Sequence, residues 1–194
     1  MFVGTVIYSI GAASSTDGRR FGWGQRWAIA ECVRVALSDA HETPTSRVLT
    51  IATKMVRRKN PNLQAFVSFA DTRQGHHGGI YQAAGWTYTG DYDSSGDTYI
   101  VGGKEVHAKT LHTRYGRGGQ SIPWLRAHID PEARREQRPP KHRYMLGITN
   151  EAKQKIAALA KPYPKRAGSA DGGTSPVQGE GGGPNPTPAL QIEG

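Results

Sequence analysis

The sequence predicts an α/β fold with a mixed central sheet. Short segments rich in β-branched and aromatic residues alternate with a segment of helical periodicity and with glycine-rich turns, which is typical of strands packed against helices. The 194 residues suit one domain with its own core. The C-terminal end is rich in glycine and proline and poor in large apolar residues. We therefore expect a folded domain over residues 1–161 and a disordered Pro/Gly-rich tail over residues 162–194.

The first predicted strand is FVGTVIYSI, residues 2–10, which is rich in β-branched residues and stops at a glycine. The apolar opening lacks the basic n-region of a signal peptide, so a strand is the better interpretation. The polar, glycine-rich segment over residues 11–24 is predicted to be a loop.

The second predicted strand is AECVRVAL, residues 30–37. Strict alternation along it would place Val33 and Val35 on one face and Cys32 and Arg34 on the other. Arg34 is then either an edge residue whose charged end reaches solvent or an anion-binding group.

A helix is predicted next, because apolar residues in SRVLTIATKMVRRK recur at i, i+3, i+4 and i+7. The predicted buried face is made of Val48, Ile51, Ala52, Met55 and Val56. Thr45 or Ser46 is the expected N-cap, and the Asn60-Pro61 pair ends the helix.

The following segment, LQAFVSFAD, is a near-continuous apolar run, which predicts a strand buried on both faces. Strand, helix and strand in this order predict a parallel pair joined by a right-handed crossover. A short helix over residues 78–84 follows, with Gly85 as its C-terminal stop, and WTYTG is a further strand.

Two more strands are predicted in VGGKEVHAKTLHTRYG, residues 101–116, and KHRYMLGI, residues 141–148. His107 and His112 would then lie on opposite faces of one strand. A short helix is expected over residues 131–137, between these two strands.

The chain is basic, with a formal net charge of +9, and the charge is unevenly placed. Residues 104–143 carry ten Lys and Arg against four Asp and Glu. Such a surface attracts polyphosphates, and the alternative is a basic face that serves solubility alone. The single cysteine, Cys32, excludes an internal disulfide and a Cys-rich zinc site and fits a reducing cytoplasm. No run of about 18 apolar residues is present, so we expect no membrane span.

The segment IYQAAGWTYTG resembles the last motif of the GNAT acyltransferase fold, a helix bearing Tyr-x-x-x-Gly-aromatic that leads into a strand. The longer string SFADTRQGHHGGIYQAAGWTYTG resembles the phage Mom family, GNAT-related enzymes that add a methylcarbamoyl group to N6 of adenine in DNA. ECVRVALSDAHETPTS upstream and PKHRYMLGI downstream keep the family's order. The resemblance implies a GNAT-like sheet with flanking helices. This sequence begins directly on a strand, without that fold's N-terminal strand and helices, so either this family member is shorter or its start lies further upstream. It also implies an enzyme that protects phage DNA from restriction in the host cytoplasm.

The resemblance implies four catalytic residues, which are Asp71, Tyr81, Ser46 and Arg34. Asp71 would accept a proton from the weakly nucleophilic N6 amine, and Tyr81 would protonate a departing thiolate. We expect both side chains to converge on one cleft beside the donor helix. Each also has a structural interpretation, with Asp71 capping the following turn and Tyr81 as a half-buried helix residue.

The donor is expected at the start of the predicted helix, at Thr45, Ser46 and Arg47, where backbone N–H groups can hold a phosphate or an oxyanion. Acetyl-CoA or another activated acyl donor, such as an aminoacyl-tRNA, is implied. The segment HETPTS lacks the glycine-rich turn typical of GNAT enzymes that bind coenzyme A, which leaves the donor open. The family's product joins N6 to a methylene carbon, so the reaction needs a step beyond simple acyl transfer.

Double-stranded DNA is the implied substrate, with the target adenine extruded from the duplex. The predicted DNA contacts are Gln74, His76, His77, Arg114, Arg117, Lys141 and Arg143. Adjacent histidines do not suit a structural zinc site, but a weak iron site using Asp71 or His77 stays open. The competing hypotheses are a general GNAT N-acyltransferase for protein or small-molecule amines and a non-catalytic DNA-binding domain.

Overall fold

The computed structural model describes residues 3–10, 16–93 and 98–165. The chain divides into two compact units. The first unit consists of Met1–Ala70, His77–Gly90 and Arg143–Gly194, and the second of Asp71–His76 and Asp91–His142. Asp71 therefore belongs to the second unit, although it directly follows a strand of the first.

Eight strands and five α-helices are present in the described residues. In chain order they are β1 (Gly4–Ser9), β2 (Ile29–Leu37), α1 (Thr45–Lys59), β3 (Ala65–Ala70), α2 (Gly79–Ala83), β4 (Thr87–Tyr92), β5 (Thr98–Val101), β6 (Lys104–His107), α3 (Ala108–Tyr115), α4 (Ile122–His128), β7 (Arg134–Glu136), β8 (Lys141–Gly147) and α5 (Asn150–Ala157). Short 3₁₀ helices add Gly18–Phe21, Arg26–Ala28, Thr72–Gln74 and Arg117–Gln120.

The predicted α/β fold with a mixed sheet is confirmed. A five-stranded sheet has the order β1-β2-β3-β8-β4. In it β1 pairs with β2 in the antiparallel sense and β2 pairs with β3 in parallel, as the strand, helix, strand pattern predicted. A separate three-stranded antiparallel sheet has the order β6-β5-β7.

Strand β3 is buried on both faces, as its apolar run predicted. Phe66 and Ala70 pack in one core cluster with Leu49 and Trp86, while Ala65 and Val67 pack in another cluster with Met145 and Ile156. Burial of a side chain the size of Phe66 contributes about 2–3 kcal/mol before its entropy loss is counted. The strand is therefore a rigid base for the residues that follow it.

The predicted buried face of α1 is confirmed only in part. Val56 packs against the core, and Val48 and Ala52 are half-buried. Leu49 and Thr53 are the buried residues of this helix, whereas Ile51 and Met55 are 49% and 56% exposed. The hydroxyl of Thr53 donates to the carbonyl of Leu49 at 2.7 Å, which lets a threonine replace an apolar residue in the core. The predicted N-cap is also wrong, because Pro44 occupies the cap position without a side-chain hydrogen bond. The end at Asn60 is confirmed.

The predicted alternation in β2 is broken by a bulge. The register between β1 and β2 shifts so that Ile7 faces Arg34 and Tyr8 faces Cys32, which leaves Val33 as the extra residue. Val35 consequently packs against the same core cluster as Cys32, not on the opposite face. Val33 is 53% exposed.

The second half of the chain differs most from the prediction. The strand predicted through residue 116 ends at His107, whose Nδ1 caps α3 by accepting from the Lys109 N–H at 3.0 Å. The helix predicted over residues 131–137 lies earlier, at α4, where Ser121 is the N-cap and a proline stands in the first turn. Residues 134–136 form β7 instead. Helix α5, capped by Thr149, was not predicted.

Only the beginning of the predicted tail is described. Tyr163 donates its hydroxyl proton to the Trp86 carbonyl at 2.7 Å, so this residue contacts the first unit. Residues 166–194 of the predicted tail and residues 11–15 of the predicted loop lie outside the described residues. Within the described ranges, no helix combines the length and apolarity needed to cross a bilayer.

Candidate functional site

The site in the first unit begins where β2 and β3 stop pairing. Their parallel register covers Ile29–Glu31 against Ala65–Val67, and both strands continue beyond it. At the first residue past the paired segment, the Ser68 hydroxyl lies 2.7 Å from the carbonyl oxygen of Cys32. The hydrogen bond from the Ser68 side chain thus replaces the backbone hydrogen bonds between β2 and β3 at the point where the two strands separate.

Tyr81 reaches this strand separation from α2. Its hydroxyl lies 2.7 Å from the Ser68 hydroxyl, and the residue is 8% exposed. Ser68 has one hydroxyl proton and a carbonyl oxygen can only accept, so that proton goes to Cys32 and the Tyr81 hydroxyl donates to Ser68. Burial raises the pKa of Tyr81 to about 12. The phenol is therefore neutral and oriented at physiological pH.

Two more ionisable groups near Tyr81 are also held neutral. Burial raises the pKa of the Cys32 thiol to about 12, so this cysteine carries no thiolate at neutral pH. The Tyr8 hydroxyl lies 2.6 Å from the Thr53 hydroxyl, and burial raises the pKa of Tyr8 above its ordinary value. The Tyr81, Tyr8 and Cys32 groups are therefore neutral at physiological pH and supply no anionic nucleophile.

The paired glycines of HHGG position α2. Gly78 has φ +80°, and a Cβ on it would lie 2.2 Å from Cε2 of Tyr144, a fully buried residue. The Tyr144 hydroxyl donates to the His77 carbonyl at 2.5 Å and accepts from Gln82 Nε2 at 3.0 Å. A Cβ on Gly79 would lie 2.9 Å from Nε2 of the His77 ring. The two glycines thus let the backbone pass close to Tyr144 and His77, which places Tyr81 of α2 next to the point where β2 and β3 separate.

His77 belongs to no group of three potential metal ligands among the described residues, and a weak iron site stays a prediction. Its Nδ1 is buried and has no hydrogen-bond partner among the described residues. Nowhere in the described ranges do three His, Cys, Asp or Glu side chains lie together as an ion would require. His76 is half-buried, and its N–H donates to the Asp71 carbonyl at 3.3 Å within the second unit.

Asp71, in the second unit, caps a 3₁₀ turn. Its Oδ1 accepts the Arg73 N–H at 3.0 Å, which confirms the capping interpretation. Its Oδ2 lies 3.8 Å from Lys141 Nζ, and the side chain is 39% exposed. The carboxylate therefore keeps an accessible oxygen while the backbone fixes its orientation. Convergence of Asp71 and Tyr81 on one cleft stays a prediction.

The expected donor residues lie in the first turn of α1, beside a cavity. Thr45 and Ser46 are half-buried and Arg47 is exposed. A cavity of about 350 Å³ adjoins this turn, and its lining includes Leu37, His41, Glu42, Thr43 and Val48. His41 is held by its Nδ1, 2.6 Å from the Ser38 carbonyl. Arg34 is exposed beside the bulge, and its side chain has no hydrogen bond or ion pair within the described residues.

The predicted cationic contacts separate into two kinds. Lys141 pairs with Asp71, and Arg143 donates from Nε to the Thr89 hydroxyl at 2.8 Å, so both have structural partners. Arg114 and Arg117 are exposed on the second unit, as is Gln74.

Sequence reasoning missed Ser68, Gln82 and Tyr144. Ser68 carried a signal, since it is the one polar residue inside the run AFVSFA. No sequence signal marked Gln82 and Tyr144, because the two residues that form this hydrogen bond lie 62 positions apart in the chain.

Alkaline pH should destabilise the fold through Tyr81. The raised pKa of Tyr81 in the folded state means that its stabilising contribution is present below about pH 10 and is lost as the pH rises through about 12. Between pH 9 and pH 11.5 the wild-type unfolding free energy should fall by about 2 kcal/mol more than that of Tyr81→Phe. Urea titrations at both pH values measure this difference. Tyr8 and Cys32 titrate in both proteins, so an equal fall in both would show that Tyr81 ionises freely.

Comparison with known proteins supplies an independent finding. The model of the Mom protein family matches residues 1–165. The methylcarbamoylase Mom of Escherichia phage Mu is 29% identical over 130 residues, which is 66% of this chain and 52% of that relative. The chain thus spans about half the length of this curated relative.

Proposed function

The chain belongs to the Mom protein family, and from this premise we propose that it is a phage DNA-modification enzyme. The proposed reaction transfers a methylcarbamoyl group to N6 of adenine in double-stranded DNA, which shields the DNA from restriction. The observation that carries the proposal is the family match over residues 1–165, which includes both the capped carboxylate of Asp71 and the buried phenol of Tyr81.

Asp71 is proposed as the base. The adenine N6 amine is a poor nucleophile because its lone pair is delocalised into the ring. As the new N6–C bond forms, an N6 proton passes to Oδ2 of Asp71, the oxygen paired with Lys141, and the leaving group departs from the donor carbon. Transfer of an acyl group alone does not give the methylcarbamoyl product, so its amide nitrogen must arrive with the donor, as in an aminoacyl group, or in a later amidation. The Arg73 N–H already occupies the other oxygen, so the carboxylate is pre-oriented.

Tyr81 is proposed as a hydrogen-bond donor. A phenol whose burial raises its pKa to about 12 gives up its proton to a departing thiolate less readily than an ordinary tyrosine. It can still donate a hydrogen bond to negative charge that develops on a substrate oxygen. Such an oxygen, entering at the strand separation, would replace Ser68 as the acceptor of the Tyr81 proton.

The activated donor is proposed to bind at the first turn of α1. Thr45, Ser46 and Arg47 begin this helix, Val48 of the same turn lines the adjoining cavity, and the N-cap residue Pro44 provides no side-chain hydrogen bond to the turn. Amides at a helix N-terminus bind phosphate groups, such as those of acetyl-CoA or an aminoacyl-tRNA. Because no three potential ligands lie together in the described ranges, the proposal contains no iron step.

Mass spectrometry of nucleosides tests this function. DNA from bacteria expressing the chain should contain a deoxyadenosine of increased mass that is absent from cells with an empty vector. Unmodified DNA together with newly acylated protein would instead support a general N-acyltransferase. Salt-sensitive DNA binding without any product would support a non-catalytic binding domain.

A further inference from the structure

The second unit contains a long stretch of chain without acidic residues. Between Val106 and Ile129 there is no Asp or Glu. The same stretch carries four Lys or Arg and three His, which are Lys109, Arg114, Arg117, Arg126, His107, His112 and His128. It forms α3, the 3₁₀ helix Arg117–Gln120 and α4, so these charges are held on folded helices and not on a solvated tail.

A cavity of about 530 Å³ opens on this stretch. It is lined by His107, Lys109, Thr110, Thr113 and Arg114. All five residues are exposed, and the lining contains cations, hydroxyls and an imidazole but no carboxylate. Such a surface offers hydrogen-bond donors and positive charge to an anion and nothing that would repel it.

Several carboxylates of the second unit form ion pairs away from this stretch. Glu105 pairs with Arg73 at 2.7 Å and with Arg138 at 3.4 Å. Further ion pairs join Glu136 to Arg134, Asp71 to Lys141 and Asp91 to His142. Lys109, Arg114 and Arg117 have no ion pair within the described residues, in contrast to these cations. Among the described residues, no carboxylate therefore pairs with Lys109, Arg114 or Arg117 beside the cavity.

We propose that the face defined by His107, Lys109, Thr110, Thr113, Arg114 and Arg117 binds the sugar-phosphate backbone of double-stranded DNA. The identity of the polyanion as DNA rests on the proposed function. A duplex is favoured over a single strand because single-strand sites add exposed aromatic rings on which bases stack. Here the Tyr115 ring has the Arg114 guanidinium over it, 5.9 Å from its centroid, and also packs against Trp124. The face would position DNA without reading its sequence.

Fluorescence anisotropy of a labelled duplex, titrated at several salt concentrations, tests the proposal. The logarithm of the binding constant falls as the logarithm of the salt concentration rises, and the magnitude of this slope is about 0.9 per phosphate contact. The double variant Lys109→Gln, Arg114→Gln should therefore reduce the magnitude of the slope by about 2. At 0.15 M salt this corresponds to about 30-fold weaker binding. The matched control Arg57→Gln, Lys59→Gln removes two exposed cations from the C-terminal turn of α1 and should bind like the wild type.

An equal loss in both double variants would show that only net charge matters, and an unchanged slope in the first variant would show that DNA lies elsewhere. Either result overturns the docking proposal. Nucleoside mass spectrometry separates this outcome from failure of the proposed function. If cells expressing the wild type contain modified deoxyadenosine but the salt slope is unchanged in the first variant, the proposed function holds and the docking proposal is wrong. If the slope decreases but no modified nucleoside is found, the docking proposal holds and the proposed function is wrong.

Discussion

Alanine at position 78 should destabilise the fold by about 3 kcal/mol or more. Gly78 adopts φ +80°, and its Cβ would meet Cε2, Cζ and Oη of Tyr144 at 2.2, 2.5 and 2.7 Å. The ring cannot withdraw, because Tyr144 is fully buried and its hydroxyl is bonded to His77 and Gln82. Urea unfolding of Gly78→Ala measures the loss of free energy.

Gly85→Ala is the matched control for backbone strain. Gly85 has φ +76°, but nothing lies within 4 Å of the Cβ it would gain. We expect it to lose about 1 kcal/mol, the cost of the left-handed conformation alone. Equal losses in the two variants would show that the Tyr144 contact does not constrain α2, and would remove the reason given for the glycine pair.

The sequence correctly predicted the elements whose structure depends mainly on neighbouring residues in the chain. The unbroken apolar run of β3 can be buried only if both faces are covered, and the parallel pair with β2 follows from the helix between them. Asn60 ended α1 as predicted because the next residue is a proline.

Packing decided the features that the sequence did not predict. The apolar stripe of α1 fits two faces, and the structure buries Leu49 and Thr53 because a hydroxyl can be satisfied inside the helix. The bulge at Val33 moves Val35 to the other face of the sheet, and no sequence pattern predicts this bulge. His107 ended a strand by acting as a helix cap, a role that residue type alone does not reveal.

The parts of the candidate site that lie within one sequence motif could be predicted from the sequence. One contiguous string predicts both Asp71 and the helix of Tyr81, and a cap is one of the two roles that this position predicts for Asp71. The Ser68 link to Cys32 and the Tyr144 wall behind Gly78 join distant parts of the chain. Such contacts follow from strand order, which the sequence did not fix.

Asp71→Asn should lower DNA modification by about 10²- to 10⁴-fold, the range typical of a lost general base. Asparagine caps helices as well as aspartate does, so the hydrogen bond from the Arg73 N–H is kept. The substitution removes the ability to accept a proton and leaves the turn in place. Its thermal midpoint should stay within a few degrees of the wild-type value, as measured by circular dichroism.

Asp17→Asn is the matched control. Asp17 caps the 3₁₀ helix Gly18–Phe21 by accepting the Arg19 N–H at 3.0 Å, the same arrangement as at Asp71. Its carboxylate pairs with Arg19 at 2.5 Å and has no role in the proposed chemistry.

The most direct test of the account is the fraction of modified deoxyadenosine in DNA from cells expressing each of these two variants at equal protein levels. The account predicts a near wild-type fraction with asparagine at position 17 and at least a hundredfold lower fraction with asparagine at position 71. Equal fractions in the two variants would contradict it, because the Asp71 carboxylate would then be a cap and nothing more.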